Sequence, residues 1–231
     1  MTDQQLIATD RWRRAHAGSR AAVVSYRNVA TIDHSADFAD MKRELEDSLR
    51  ERWRTATKQE LLADPTLSAY QAHDQRFGQN YHVAMQIRSI AQKGKTIPDR
   101  NPLIEAMFMT ELRTGVLAAA QDTDLISLPI TVDSADGSEQ YVRYDGVEER
   151  CKAGDQVMLD GGGNVLTSIA QGPTSFGLVS DGTTAVSYCF YFLVGVPDTV
   201  IDDALAYLDR CVHAAFPDAE RAAKAIIAAE S

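Results

Sequence analysis

The residues best suited to chemistry stand four positions apart at the start of a predicted helix. Asn101 precedes Pro102, the usual order of a helix cap and a first helical residue, and Glu105 follows within the first turn. The helix dipole favours a carboxylate at this position, and that alone explains it. Such a carboxylate can also bind an ammonium group while the nearby N–H groups bind an anion.

The other motifs that carry chemistry are weak. The run from Gly161 to Gly163 has no helix and no Gly-Lys-Ser/Thr after it, so it indicates a hairpin turn and not a phosphate site. Ser175 lacks the GxSxG spacing of a nucleophile elbow, which favours a loop role. Cys189 alternates with apolar residues and is expected to be a buried, inert thiol. The spacing of the histidines and cysteines argues against a metal site, and no cofactor is expected.

Charge is distributed unevenly along the chain. The 231 residues include 23 Lys/Arg and 33 Asp/Glu, which gives a net charge of −10. Residues 1–115 contain 17 Lys/Arg and 15 Asp/Glu, whereas residues 116–231 contain 6 Lys/Arg and 18 Asp/Glu. A polyanion would therefore favour the first half, although acidic loops that merely confer solubility explain the same asymmetry. The clearest basic stretch holds Arg88, Lys93, Lys95 and Arg100, opposed only by Asp99.

The apolar runs and the cysteines of the chain indicate where in the cell the protein is found. The longest apolar run, Ala185–Val196, is interrupted by polar residues and is too short to span a membrane, and the first residues lack the apolar stretch of a secretory signal. The three cysteines are odd in number and widely spaced, which is typical of a reduced cytosolic protein. We therefore expect a cytoplasmic protein with no membrane partner.

The order of predicted elements indicates an α+β fold with a central, largely antiparallel sheet flanked by helices. Helices are expected over residues 36–55, 64–77, 80–92 and 103–114, and the mixed charges on the outer face of the first favour solvation and internal pairing. Strands are expected over residues 21–26, 29–33, 125–131, 140–143, 156–159, 165–170, 176–179 and 185–194. Residues 198–231 are expected to form C-terminal helices that pack on the sheet, and residues 1–20 a loose or helical extension, within one domain spanning 1–231.

Residues 97–126, IPDRNPLIEAMFMTELRTGVLAAAQDTDLI, resemble the B3/B4 domain. This domain is the editing module of the phenylalanyl-tRNA synthetase beta subunit and also occurs in free-standing proteins. The shared features are Asn101 followed by two apolar positions and Glu105, then Gly115 and Asp122. The order of later segments agrees over roughly residues 70–200, and KGKTIPDRNPL is closer to the free-standing branch.

The resemblance implies hydrolysis of the ester in a mischarged aminoacyl-tRNA, with the pocket in a cleft between the Asn101 helix and the sheet. Such an ester is activated, so positioning a water and polarising the carbonyl can suffice. The candidate donors are Asn101, Thr174, Ser175 and the backbone from Gln171 to Ser175. Glu105 or Asp160 would hold the α-ammonium or a basic side chain.

The basic residues Arg88, Lys93, Lys95 and Arg100 are the candidate tRNA contacts. No DNA partner is expected. Two other functions stay open: a module that binds tRNA or an amino-acid-like ligand without hydrolysis, and an interaction domain without pocket chemistry.

Overall fold

The computed structural model describes residues 5–30 and 35–229. It has an α+β fold, as the sequence predicts. Its helices are α1 (Asp10–Ala15), α2 (Ala36–Trp53), α3 (Lys58–Leu61), α4 (Pro65–Gln75), α5 (His82–Lys93), α6 (Pro102–Thr114) and α7 (Asp198–Ala215), with a 3-10 turn at Thr123–Leu125. Its strands are β1 (Leu6–Ala8), β2 (Arg20–Arg27), β3 (Leu117–Asp122), β4 (Ile130–Ser134), β5 (Gln140–Val142), β6 (Glu148–Arg150), β7 (Gln156–Leu159), β8 (Val165–Ser168), β9 (Gly172–Pro173), β10 (Ala185–Phe192) and β11 (Glu220–Ala228).

The chain divides into two compact units, each assembled from separate segments. The sheet unit contains the described residues of 1–30, 118–194 and 220–231, and the helical unit those of 31–117 and 195–219. The expectation of a single domain over residues 1–231 stays a prediction.

The sheet unit holds two sheets and a hairpin. One sheet has the strand order β11-β2-β10-β3, the other β1-β4-β7-β8-β9, and β5 pairs only with β6. The β1–β4 pair is parallel, whereas β2–β10, β2–β11, β4–β7, β7–β8 and β8–β9 are antiparallel. The hydroxyl of Tyr191 on β10 donates to the carbonyl of Thr167 on β8 at 3.0 Å, which ties the two sheets together.

The two central strands of the four-stranded sheet, β2 and β10, are apolar on both faces. Nearly every side chain of β2 and β10 is buried, as a strand covered on both faces requires. The two strands pair along their whole length, from Ala185 opposite Arg27 to Phe192 opposite Arg20. The polar exceptions satisfy each other, since the hydroxyls of Ser25 and Ser187 lie 2.8 Å apart.

The helical unit packs α2, α5, α6 and α7 around an apolar core. α6 packs against α7, and α2 contacts the other three helices. Buried apolar residues recur every three to four positions along these helices, for example Leu45 and Leu49 in α2, and Val83, Ile87 and Ile90 in α5. α5 and α6 both end at a glycine in the left-handed conformation, at φ 68° and 73°. This caps each helix and turns the chain away from it.

One prediction for α2 is wrong. Among the mixed charges predicted to lie on its solvated outer face are Lys42 and Glu46, yet these residues are only 8% and 7% exposed. Both are buried because the chain before α6 lies over them and supplies partners: Glu46 accepts from the backbone N–H of Ile97 at 2.7 Å. The charge pattern of one helix contains no information about a segment fifty residues away.

The termini of the chain also differ from prediction. β11 replaces the expected Ala-rich last helix, because Pro217 and Asp218 form a turn and the backbone then pairs with β2 from Glu220 to Ala228. At the other end, β1 pairs with β4, and α1 buries Trp12 completely, so the described part of residues 1–20 is ordered and only partly helical.

Three predicted strands are displaced. The segment 125–131 begins as a 3-10 turn and only its end joins β4. Residues 176–179 make a single bridge, Leu178 opposite Gln121 of β3, and form no strand; the edge of the other sheet, beside β8, is Gly172–Pro173. The strand expected at 29–33 does not continue from β2 at Val29 and Ala30, and its remainder lies outside the described residues.

Candidate functional site

The residues predicted to form the site are divided between the two units. Asn101, Glu105 and the four basic residues belong to the helical unit, whereas Asp160, Gln171, Thr174 and Ser175 belong to the sheet unit. The predicted convergence of Asn101 and Thr174 on one ligand therefore stays a prediction. Each half of the site has its own geometry.

Asn101 caps α6, as its position before a proline predicts. Its backbone is extended, and its side-chain oxygen accepts from the N–H of Leu103 at 3.0 Å. Pro102 has no N–H, so the cap satisfies the next donor along the helix. The side chain is half-buried, which leaves part of it in contact with solvent.

Glu105 forms a buried ion pair with Lys42 of α2. One carboxylate oxygen accepts from Lys42 Nζ at 2.8 Å and the other from the backbone N–H of Arg100. Lys42 also donates to Asp99 Oδ1 at 2.6 Å and to the carbonyl of Pro98 at 3.1 Å. Burial alone would lower the pKa of Lys42, but the hydrogen bonds to Asp99 and Glu105 outweigh it and raise that pKa. An internal ammonium therefore already occupies the position where a substrate ammonium was predicted.

Asp160 closes the turn between β7 and β8. Its Oδ1 accepts from the backbone N–H groups of Gly162 and Asn164 at 2.9 and 2.8 Å and from the side-chain amide of Asn164 at 3.1 Å. Its Oδ2 accepts from the N–H of Ser127 at 3.0 Å. The glycine run after β7 is thus a hairpin turn, as expected, and both oxygens of this 3% exposed carboxylate already accept hydrogen bonds within the protein.

The loop from Gln171 to Ser175 lies along β8 and the β5–β6 hairpin. Thr174 is buried, and its hydroxyl donates to the carbonyl of Val165 at 2.7 Å. The N–H of Ser175 donates to the carbonyl of Val142 at 2.8 Å, while the Ser175 side chain is exposed. Of the two predicted hydroxyl donors, Ser175 is the one that reaches solvent.

An open groove of about 690 Å³ lies beside this loop, lined by residues 140–142 and 148–152. Gln171 connects to it, since its side-chain N–H donates to Glu149 Oε2 at 3.4 Å. Within the described residues, two buried polar atoms here lack a hydrogen-bond partner: the hydroxyl of Tyr141 and Oε1 of Gln171. Burial raises the pKa of Tyr141, so its hydroxyl is a neutral donor at physiological pH. No sequence signal distinguished this hairpin.

The four predicted tRNA contacts lie along the end of α5 and the segment that leads to α6. Lys93, Lys95 and Arg100 are exposed, and Arg88 is half-buried with its Nε 3.3 Å from Gln92 Oε1. Over residues 5–30 and 35–229, none of these four side chains has a carboxylate within 4.0 Å. They are the cations of this segment that remain available to an anionic partner.

We searched the described residues for metal sites and reactive thiols. Within residues 5–30 and 35–229, no group of three or more His, Cys, Asp or Glu side chains is placed to hold a metal ion. Cys151, Cys189 and Cys211 are free thiols and all are buried. Burial raises the pKa of the Cys189 thiol to about 12, as expected for an inert core residue. None of the described helices is both long and apolar enough to cross a membrane.

Comparison with known proteins identifies a fold relative. No protein-family model matches the chain, and no curated protein matches it in sequence. Among solved structures, an N-terminal fragment of the phenylalanyl-tRNA synthetase beta subunit from Pyrococcus horikoshii is similar, with a TM-score of 0.50 and 12% sequence identity. The match covers 96% of this chain and 50% of the fragment, so the chain spans about half of the fragment's length. At this identity the comparison shows the fold alone: an α+β fold distantly similar to that of the beta-subunit fragment.

Proposed function

We propose that the protein is a trans-editing deacylase that hydrolyses the ester bond of a mischarged tRNA. The observation that carries the proposal is the fold relative, a fragment of a tRNA synthetase subunit whose match covers 96% of the chain. The resemblance of residues 97–126 to the B3/B4 domain adds the editing activity. The family assignment is part of the same proposal.

In this proposal the protein positions an activated ester and a water and needs no nucleophilic side chain. Ser175 and the backbone from Gln171 to Ser175 are the groups of the sheet unit proposed to polarise the ester carbonyl, and Asn101 is the candidate donor of the helical unit. Thr174 orders that loop, because its own hydroxyl donates to β8. For Glu105 to bind a substrate ammonium it would have to release Lys42, so its first role is to hold the start of α6.

The tRNA would contact Arg88, Lys93, Lys95 and Arg100 through its phosphates. In a protein of net charge −10, such contacts confine a polyanion to one surface. Binding should then weaken steeply as salt rises.

A panel of tRNAs, each charged with a correct or a wrong amino acid, tests the function. Release of the amino acid from some mischarged members, with the correctly charged members spared, is the expected result. Uncharged tRNA and duplex DNA of equal length serve as binding controls, and DNA should bind more weakly. Absence of release across the whole panel would rule out the deacylase.

A second function, binding of tRNA or an amino-acid-like ligand without hydrolysis, is favoured by one specific observation. Glu105, Asp160 and Thr174 have their polar side-chain atoms engaged by protein partners. Fewer groups then remain to act on an ester. The same panel separates the two functions, since this module would bind tRNA and release nothing.

A further inference from the structure

A second basic segment lies beside the one predicted to contact tRNA. Residues 52–58, at the end of α2, contain Arg52, Arg54 and Lys58 and no Asp or Glu. Residues 88–95, at the end of α5, contain three further Lys/Arg and again no acid. In a chain with 33 acidic residues, two adjacent segments without one form a distinct electrostatic feature.

Hydrogen bonds bring these two segments together. The side-chain amide of Gln92 donates to the carbonyls of Trp53 and Ala56, at 3.0 and 2.6 Å. Arg50 Nη2 lies 3.4 Å from the carbonyl of Lys95. Because α2 also packs along α5, the two helix ends form one continuous surface within the helical unit. We call it the α2–α5 basic surface; besides Arg52, its exposed cations are Arg54, Lys58, Lys93 and Lys95.

Within the part of the chain that the structure describes, these four side chains have no carboxylate partner to neutralise them. All four are exposed, and none has a carboxylate within ion-pair distance anywhere in residues 5–30 and 35–229. The carboxylate of Glu60, two positions after Lys58, instead accepts from the N–H and hydroxyl of Thr57 in a capping box. Their charge is therefore directed at solvent or at an external anion.

An aromatic ring lies among these cations. Trp53 is half-buried at the end of α2, and the guanidinium of Arg52 stacks over its ring at 4.3 Å from the centroid. Arg52 is fixed in turn by Asp64, at 3.1 Å. Cations interleaved with an aromatic ring are typical of surfaces that bind RNA, where phosphates pair with the cations and an unpaired base stacks on the ring.

We propose that the α2–α5 basic surface binds the sugar–phosphate backbone of RNA, with Trp53 contacting an unpaired base. The inference rests on the proposed tRNA-directed function and extends its footprint from α5 onto α2, through Arg54 and Lys58. Trp53 offers a ring on which a base can stack, and the proposed tRNA-directed function favours RNA over an acidic protein segment or an anionic membrane.

The main test compares two double variants that remove the same charge. Arg54→Ala with Lys58→Ala alters the surface, and Arg14→Ala with Lys224→Ala removes one exposed Arg and one exposed Lys from the sheet unit. Binding of uncharged tRNA is measured against salt. The first variant should weaken binding about tenfold or more and flatten the slope of log K against log salt by roughly 1.4–1.8, or 0.7–0.9 for each lost contact. The control should bind like the unaltered protein.

Tryptophan fluorescence provides an independent readout. The chain has two tryptophans, and Trp12 is fully buried in the sheet unit. Addition of tRNA should change the emission of the unaltered protein, and Trp53→Phe should abolish the change.

The outcomes separate this inference from the proposed function. If Lys93→Ala with Lys95→Ala flattens the salt slope but the Arg54/Lys58 variant does not, the extension onto α2 is wrong and tRNA binding stands. If the unaltered protein does not bind tRNA, both are wrong. Binding of polyglutamate or of phosphatidylserine vesicles in place of tRNA would assign the surface to another partner and overturn the inference.

Discussion

Lys42 and Glu105 form a buried ion pair whose partners lie on different helices, and Asp99 completes it from the solvent side. Together with the Arg100 N–H, the pair fixes the segment that leads into α6 and its cap at Asn101. A buried charge that loses its partner is costly, so each member of the pair depends on the other. The ion pair therefore determines where the chemistry-bearing end of α6 lies.

We expect Glu105→Gln to lower the free energy of unfolding by about 2 kcal/mol, because it leaves the Lys42 ammonium buried with one charged partner fewer. Urea denaturation measures the change. Asp99→Asn is the matched control: the Asp99 side chain is 90% exposed, and its loss should cost under about 1 kcal/mol. Equal effects of the two substitutions would show that burial does not govern this pair.

Asn101→Asp separates capping from catalysis. Asp caps a helix as well as Asn does, so the melting temperature should be nearly unchanged. The substitution removes an amide donor and adds a negative charge, so deacylation should fall at least ~10-fold, equivalent to ~1.4 kcal/mol of barrier. Full activity on the true substrate would limit Asn101 to a cap and transfer the role to the loop from Gln171 to Ser175.

Sequence reasoning identified the capping role of Asn101 because a cap depends on its immediate neighbours. It could not identify the partner of Glu105, because Lys42 lies 63 positions earlier and its helix pattern resembles a solvated face. The same applies to Asp160, whose turn was predicted from the glycines although its contact with Ser127 was not. Local chemistry was predictable, and the neutralisation of these carboxylates by distant groups was not.

At the scale of elements, helices were more predictable than strands. α2, α4 and α6 begin at a capping Ser, Asp or Asn side chain, and α5 and α6 end at a glycine; both are local signals. β11 misled prediction because ERAAKAIIA combines alanines and charges that favour a helix, yet β2 offers it an unpaired edge over its whole length. Pairing with a strand that lies far away in sequence overrides local propensity.

The attachment of α1 to β4 should depend on pH. Arg11 donates to Asp133 at 2.5 Å and to Asp136 at 2.8 Å. Burial alone would raise the pKa of Asp133, but the hydrogen bonds from Arg11 and Thr9 outweigh it and lower that pKa. The pKa of Asp136 is lowered to about 2 by hydrogen bonds from Ser138 and from Arg11. Because the pKa of both carboxyls is lowered in the folded state, their contribution to stability is complete above about pH 4. It is lost as the pH falls towards 2.

Trp12 lies in α1 and reports this attachment. In the Trp53→Phe background its emission should shift as pH falls from about 4 to 2, and Arg11→Met should abolish that transition by removing the cation. A transition that Arg11→Met leaves unchanged would assign the acid sensitivity to other carboxylates.

At the scale of the whole molecule, the three thiols serve as probes of folding. Burial raises the pKa of each to about 12, so the native protein should react very slowly with Ellman's reagent, and all three thiols should react in concentrated guanidinium chloride. Cys151 should react first, because it directly follows β6 and lines the open groove beside the small β5–β6 hairpin. Rapid stoichiometric reaction of Cys189 in the native state would contradict its place in β10.

The position of β2 imposes an order of events on the nascent chain. β2 is synthesised early, yet its neighbours are β10 and β11, and Arg27 finds Glu220 only 193 positions later. A ribosome must therefore finish nearly all of the described chain before the apolar Ala21–Tyr26 segment has both partners. Pairings so distant in sequence fold slowly and leave strand edges exposed in the meantime. Until then the apolar segment of β2 lacks its strand partners, so the incomplete chain is more prone to aggregation than the finished one.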